Sequence, residues 1–413
     1  MRFLFVSNFY PPASRGGYEQ WCQEVAEGLM ERGHTVHILT STYRLSQLNI
    51  VEPKWIHRIL HLELEIASLK NAFQFFTHRV KRERDNLSRV RNLLDKVKPD
   101  AVLIWGMWNL HHSIPALLED RMGNRVVYYM GDYWPMLPSP FEGFWDAPAR
   151  NILTGIPKGF LKPVAKTILA GEIRPSLRFE CVLFPSKFML DEFERKQVKI
   201  RKAQVVYGAI DTQVYLQSHR KERNEKDIIS LLFVGRLSRE KGVHTAIQAV
   251  GCLVHTHALQ NIRLIIVGDG ESDYEVFLRN LVAKEGLEKF VQITPAQPKE
   301  SLPSLYGNVD IFLFTSIWAE PFGRVLVEAM ASGVSIIGTR VGGAGEVLME
   351  NENALTFPPD DPLKLAAQIK RLVEAPELRK RLAESARQTA ISKFDIQRMT
   401  EEIGAHLVST AKT

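Results

Sequence analysis

Short apolar runs rich in β-branched and aromatic residues alternate along this chain with segments of helical periodicity, and that alternation restricts the fold more than any other feature. One series lies at 3–7, 36–40, 101–104, 126–130, 181–184 and 203–206; a second lies at 229–234, 263–267, 290–293, 310–314, 334–338 and 354–357. Parallel strands need a crossover connection, normally a helix, so the pattern predicts parallel sheets covered on both faces. The class expected is α/β, with two Rossmann-like doubly wound domains facing a central cleft. Length agrees, because 413 residues that are 45% hydrophobic exceed a single core, which stops growing at roughly 250–300 residues. The polar stretch 212–227 has few apolar anchors and is expected to be a surface linker. The division is therefore 1–212 for an N-terminal, acceptor-side domain, 213–395 for a C-terminal, donor-side domain, and 396–413 for a last helix that can pack back on the first.

Charge and cysteine usage narrow the function. The net charge of +6 belongs to the N-terminal half, in 79–84 and in Lys158, Lys162, Lys166, Arg174 and Arg178. Such runs form solvated helix faces or meet anionic lipid. They are joined to no nucleic-acid recognition module, so no nucleic-acid partner is expected. No apolar run approaches the roughly 18–20 residues that span a bilayer, and the start at Met1 has strand character with no cleavage site after it. That points to a cytoplasmic protein whose membrane contact, if any, is peripheral at the anionic inner face. Cys22, Cys181 and Cys252 are far apart and lack metal-ligand spacing, which makes them reduced core thiols.

Ligands of doubly wound sheets sit beyond the carboxyl ends of the strands, so the residues there carry the chemistry. After the first run come Gly16 and Gly17 and then a helix; backbone N–H groups at such a turn either approach a phosphate or merely close the turn. The first run of the second series leads into Gly235-Arg236-Leu237-Ser238-Arg239-Glu240-Lys241-Gly242. An arginine fork and a mobile ammonium there can neutralise a diphosphate without a metal, and no Asp-x-Asp cluster suggests one. Either cation taken singly is an ordinary surface charge. In 314–333 the spacing predicts a strand end at Phe314, a loop bearing Glu320, and a helix from about Phe322 or Gly323 that stops at Gly333. Glu328 falls about a turn and a half into that helix. Carboxylates accept hydrogen bonds from hydroxyls, so the pair can grip a glycosyl ring and a ribose; alternatively Glu320 caps the helix and Glu328 pairs with a cation. The glycine-rich turn 342–345 with Glu346 packs beside this loop or touches ligand.

In this order the segments resemble the glycosyltransferase group 1 family, the retaining GT-B enzymes of family 4, over nearly the whole chain and most tightly from Phe233 to Pro358. Glu320 and Glu328 match the family's Glu-x7-Glu motif, and Arg236 and Lys241 its Gly-Arg-Leu-x-x-x-Lys-Gly motif. The resemblance implies that Arg236 and Lys241 hold the donor diphosphate and that Glu328 holds the ribose. It implies that Glu320 is catalytic and holds the transferred sugar, with Phe322, Gly323, Arg324 and Val325 along the same turn, and that Gly16 and Gly17 close over the donor. The implied reaction moves a sugar from a UDP or GDP sugar to a hydroxyl acceptor (a glycan, a lipid-linked sugar or a small molecule) with retention, without cofactor or metal. One departure stands out: Gly131 occupies the place of a family histidine, next to Asp132. Asp132 is then either a catalytic, acceptor-orienting group or a loop cap, and the alternative function is a catalytically weakened nucleotide-sugar-binding protein. Tyr10, Tyr133 and Trp134, with Arg15, form the candidate acceptor set, since aromatic faces stack on sugars.

Overall fold

The computed structural model describes residues 1–14, 16–47, 51–66, 70–149, 152–216 and 228–412. Arg15 and most of the expected linker, 217–227, lie outside the described residues; 212–216 form a short helix, Thr212–Leu216. The chain divides into two compact units, one of Met1–Phe184, Glu192–Val206 and Thr400–Thr413, the other of Pro185–Asp191 and Tyr207–Met399.

The first unit holds seven strands: β1 (Arg2–Val6), β2 (Thr35–Ser41), β3 (Ile56–Leu60), β4 (Ala101–Ile104), β5 (Val126–Tyr129), β6 (Val182–Phe184) and β7 (Ala203–Val205). All pair in parallel in the order β3-β2-β1-β4-β5-β6-β7. Phe3, Leu4, Phe5 and Val6 of β1 and all four residues of β4 are fully buried, as continuous apolar strands in a sheet covered on both faces must be. The edge strand β3 is absent from the periodic runs of the sequence. It carries His57 and Arg58, whose polar groups find local partners: His57 Nε2 lies 3.2 Å from His37 Nδ1, and Arg58 pairs with Glu52 at 2.6 Å and donates to the Pro11 carbonyl at 2.7 Å. Thr400, in the helix Ile396–Ala411, packs on Gly28 of the helix Gly17–Glu31, a crossing with no space to spare for a side chain at position 28.

The second unit holds β8 (Ile229–Val234), β9 (Ile262–Val267), β10 (Val291–Thr294), β11 (Ile311–Phe314), β12 (Ser335–Gly338) and β13 (Leu355–Thr356), parallel in the order β10-β9-β8-β11-β12-β13. Leu231, Leu264, Ile266 and Leu313 form its core with Ile247 and Val250 of the helix Val243–His255 and Leu365 and Ile369 of the helix Pro362–Glu374. In both sheets the strand order reverses beside the first strand, between β1 and β4 and between β8 and β11. These are the topological switch points where such sheets bind ligands.

Candidate active site

In the second unit the switch point brings three stretches together. β8 ends at Val234 and leads into the loop with Arg236 and Lys241; β11 ends at Phe314 and leads into the loop with Glu320; the helix Arg324–Ala331 follows. Gly242 makes the first approach possible: its φ is 63°, and a Cβ there would stand 2.1 Å from the Thr315 carbonyl oxygen. Thr315 Oγ1 also donates to the Lys241 carbonyl at 2.8 Å. Held this way, the Lys241 ammonium forms an ion pair with the Glu320 carboxylate, and Ser316 donates to the same carboxylate at 2.8 Å. Arg236 is the exposed member, its guanidinium 3.9 Å from Glu240.

The helix behind the loop runs Arg324–Ala331, with Gly323 at φ 99° as its N-cap and Gly333 at φ 69° just past its end. Four residues put Glu328 one turn after Arg324 on the same face, and Arg324 Nε donates to Glu328 at 3.0 Å. Tyr306 donates to the other carboxylate oxygen at 3.2 Å. Both partners of this pair are almost fully buried, so Glu328 carries an internal ion pair. The Phe322 ring is core, packed on Phe394 at 5.4 Å, which leaves its backbone as the part available to a ligand; Val325 is half-buried.

Gly342 and Gly343 act as packing. A Cβ at Gly342 would meet the Glu320 carbonyl oxygen at 2.4 Å and one at Gly343 the Pro321 carbonyl oxygen at 2.3 Å, while Gly343 N–H donates to Glu320 O at 2.7 Å. Only bare backbone fits against the loop that carries Glu320. Glu346 accepts from the N–H groups of Lys187 at 2.9 Å and Phe188 at 2.7 Å, capping the helix Lys187–Arg195.

In the first unit, the Gly16 N–H donates to Glu19 at 2.9 Å, so the helix Gly17–Glu31 is capped by its own carboxylate. The next helical residue, Tyr18, fills the space beside Gly131. A Cβ at 131 would stand 2.2 Å from the Tyr18 ring, and Tyr18 Oη accepts the Gly131 N–H at 3.0 Å while its one hydrogen is shared between the Tyr129 and Trp105 carbonyls. Burial, then the nearby Asp132, holds the Tyr18 phenol well above its ordinary range. Asp132 accepts a long hydrogen bond from Trp134 N–H, 3.4 Å; burial pushes its carboxyl up to about 7, although part of the residue still meets solvent.

Of the aromatic acceptor set, Tyr10 is a core residue, 1% exposed, with Trp55 against its ring and Arg58 over it. Tyr133 is half-buried. Trp134 lines a cavity of about 500 Å³ at the segments that follow β3, β4 and β5, and its buried Nε1 has no hydrogen-bond partner among the described residues. Glu63, Trp108, His111, His112, Glu142 and Arg174 also line it. Burial, with Glu83 nearby, raises the Glu63 carboxyl to about 7, and burial, with Arg174 and His111, lowers His112 to about 4. None of these polar residues stands in a recognisable motif. Their one sequence signal is position after strand ends.

Residues 216–389 match the family model described as Glycosyl transferases group 1, and residues 15–214 match Glycosyltransferase Family 4. Glycogen synthase of Mycobacterium tuberculosis is 33% identical over 421 residues, covering 96% of this chain and 92% of that one. Spore coat protein SA of Bacillus subtilis is 32% identical over 221 residues, which span 49% of this chain and 57% of that protein. Among solved structures, Anabaena HepE in complex with UDP and glucose has a TM-score of 0.69 at 20% identity, covering 99% of this chain and 100% of its own. A likeness of this extent through both units shows common descent, and the chain belongs to the glycosyltransferase group 1 family.

Proposed function

We propose that the protein is a retaining glycosyltransferase that moves a sugar from a UDP or GDP sugar to a hydroxyl acceptor. The observation that carries this reading is the Lys241–Glu320 ion pair at the β8/β11 switch point, with Arg236 on the same loop. A donor diphosphate competes for the Lys241 ammonium, and Arg236 adds a bidentate fork, so two fixed cations stabilise the leaving group without calling on a divalent ion. Freed from Lys241, the Glu320 carboxylate accepts from a hydroxyl of the transferred sugar, and Ser316 holds it in place. The N–H groups at Phe322 and Gly323 face the same sugar, and Glu328 uses its remaining lone pairs for the ribose. The acceptor oxygen attacks the anomeric carbon on the face from which the diphosphate departs, and its proton passes to the departing phosphate oxygen. The bound UDP and glucose of the HepE structure, which shares this fold, support a uridine donor.

A second reading, a nucleotide-sugar-binding protein with weakened catalysis, is favoured by the Tyr18 ring beside Gly131. Turnover separates the two. We expect the wild-type protein to release nucleotide slowly from its donor sugar without acceptor, and Glu320→Gln, which keeps the size but not the charge, to lower that rate at least about a hundredfold. Equal rates in the two proteins remove Glu320 from the chemistry; no release from any donor sugar favours the binding-only reading. Glu328→Ala is a poor first variant, because it removes one partner of a buried ion pair and so disturbs the fold as well as the site.

A further inference from the structure

The cavity of about 500 Å³ in the first unit is acidic, although it lies in the half of the chain that holds the positive surplus. Among the described residues its charged lining is Glu63, Glu83, Glu142 and Glu172 against Arg174. Two of these carboxylates are answered inside the protein. Glu142 accepts from the Ser139 N–H at 2.6 Å and pairs with Arg174, and Glu172 pairs with Arg79. Glu83 meets His111, whose Nδ1 is 3.1 Å away, but burial holds that imidazole below its ordinary range, so it supplies no full positive charge near neutral pH. The Glu63 carboxyl lines the cavity with neither a hydrogen bond nor an ion pair among the described residues.

The backbone beneath that carboxyl is fixed. Glu63 N–H donates to the Asn109 carbonyl at 3.0 Å, and the Asn109 side chain accepts from the Leu64 N–H at 2.9 Å and donates to the Leu64 carbonyl at 2.8 Å. A segment tied in this way has little ordering left to undergo on binding. Trp108, 37% exposed, and Trp134, 3% exposed, stand in the same lining, and Trp134 Nε1 is a further buried donor with no partner among the described residues. Aromatic faces cover sugar rings, unanswered carboxylates attract a cation and repel an anion, and the volume falls within the roughly 300–1,000 Å³ of small-molecule sites. We propose that this cavity binds a hydroxylated compound that carries an ammonium group, with Glu63 as the residue that receives the charge. An ammonium supplies the countercharge that the protein leaves out, and so favours the ionised form of Glu63. Resting on the transferase reading, this compound is the acceptor, and the same charges discriminate against acceptors that bear a phosphate or carboxylate.

The test titrates the whole chain by calorimetry with aminoethyl, hydroxyethyl and carboxyethyl glucosides, one ring bearing a cation, no charge or an anion. At pH 8 wild type is expected to bind the amine at least about tenfold more tightly than the neutral glycoside, with the carboxylate weakest. Glu63→Gln, similar in shape but uncharged, is expected to remove that preference. Lowering the pH to 6 is expected to weaken amine binding in wild type several-fold and not in Glu63→Gln, because Glu63 gains a proton while an alkylammonium stays charged. The other charged and titratable groups around Glu63 are Glu83, Glu142, Arg79 and Arg174, with His111 and His112 in the same lining; His112, lowered to about 4, stays neutral across that range. Equal binding of the amine and the neutral glycoside, an unchanged preference in Glu63→Gln, the same preference at both pH values, tightest binding of the carboxylate, or no binding of any of the three overturns the proposal. Donor titration reports separately on the transferase reading: if no donor sugar binds while the amine preference holds, the cavity site stands and the acceptor assignment falls.

Discussion

Asp132 and Tyr18 define what the first unit keeps where the group 1 resemblance has a histidine. The Tyr18 ring occupies the volume that any side chain at 131 would need, and its hydroxyl is spent on backbone groups of β5 and β4 and their following loops. Asp132 is then the titratable group of that loop, with its carboxyl raised to about 7 by burial. A carboxyl whose folded value is raised binds its proton more tightly folded than unfolded. Its contribution therefore falls as pH rises from about 4, where the unfolded chain ionises, to about 7, and is level above that. Asp132→Asn is expected to raise stability by about 1–2 kcal/mol at pH 8 and to change it little at pH 4. Denaturant unfolding at the two pH values checks this; an equal effect at both contradicts the raised carboxyl. Glu320, Glu328, Arg236 and Lys241 were legible because each stands at a set distance from a strand end. Ser316, Tyr306 and Tyr18 were not, since what matters is the partner each meets, and Tyr306 lies 22 residues from Glu328 while Tyr18 lies 113 from Gly131.

Elements that are buried on both faces announced themselves. β1, β4 and β12 are short apolar runs with no other reading, whereas β3 alternates poorly and hides its His57 and Arg58 in local hydrogen bonds, so it was found only in three dimensions. The loop between β8 and the helix Val243–His255 depends on Gly242. There a Cβ would collide with the Thr315 carbonyl, which is backbone and has little freedom to retreat, and the φ of 63° adds strain for any other residue. Gly242→Ala is expected to cost about 2–4 kcal/mol and, by moving Lys241 off Glu320, to weaken donor binding as well. Chemical denaturation and donor titration measure the two effects. A stable variant with normal donor affinity contradicts the claim that this contact positions Lys241. The Gly342–Gly343 turn shows the opposite lesson: its sequence resembles a ligand loop, but its glycines are required by the approach of the Glu320 loop.

Across the whole molecule, two sheets with the same order of crossing put a switch point in each unit, yet the two are equipped differently. The second unit's is built of side chains with opposite charges in contact, Lys241 with Glu320 and Arg324 with Glu328. The first unit's is mostly aromatic and backbone, and its polar cavity lies at neighbouring strand ends. The surplus of positive charge in the first half of the chain follows the same division. The charged contacts of the second unit were therefore readable from motifs, while the first unit's cavity, made of single residues from many loops, was readable only as a collection of aromatic and basic residues. The central claim, that the Lys241–Glu320 loop binds a nucleoside diphosphate sugar, is tested most directly by melting the wild-type protein and Lys241→Ala with UDP, GDP, ADP and their sugar conjugates. Ligand at a hundred times its Kd stabilises a folded protein by about 2.7 kcal/mol. The account predicts a rise in the melting midpoint of wild type with one nucleotide class and none in Lys241→Ala; no rise with any of them, or an equal rise in both proteins, would contradict it.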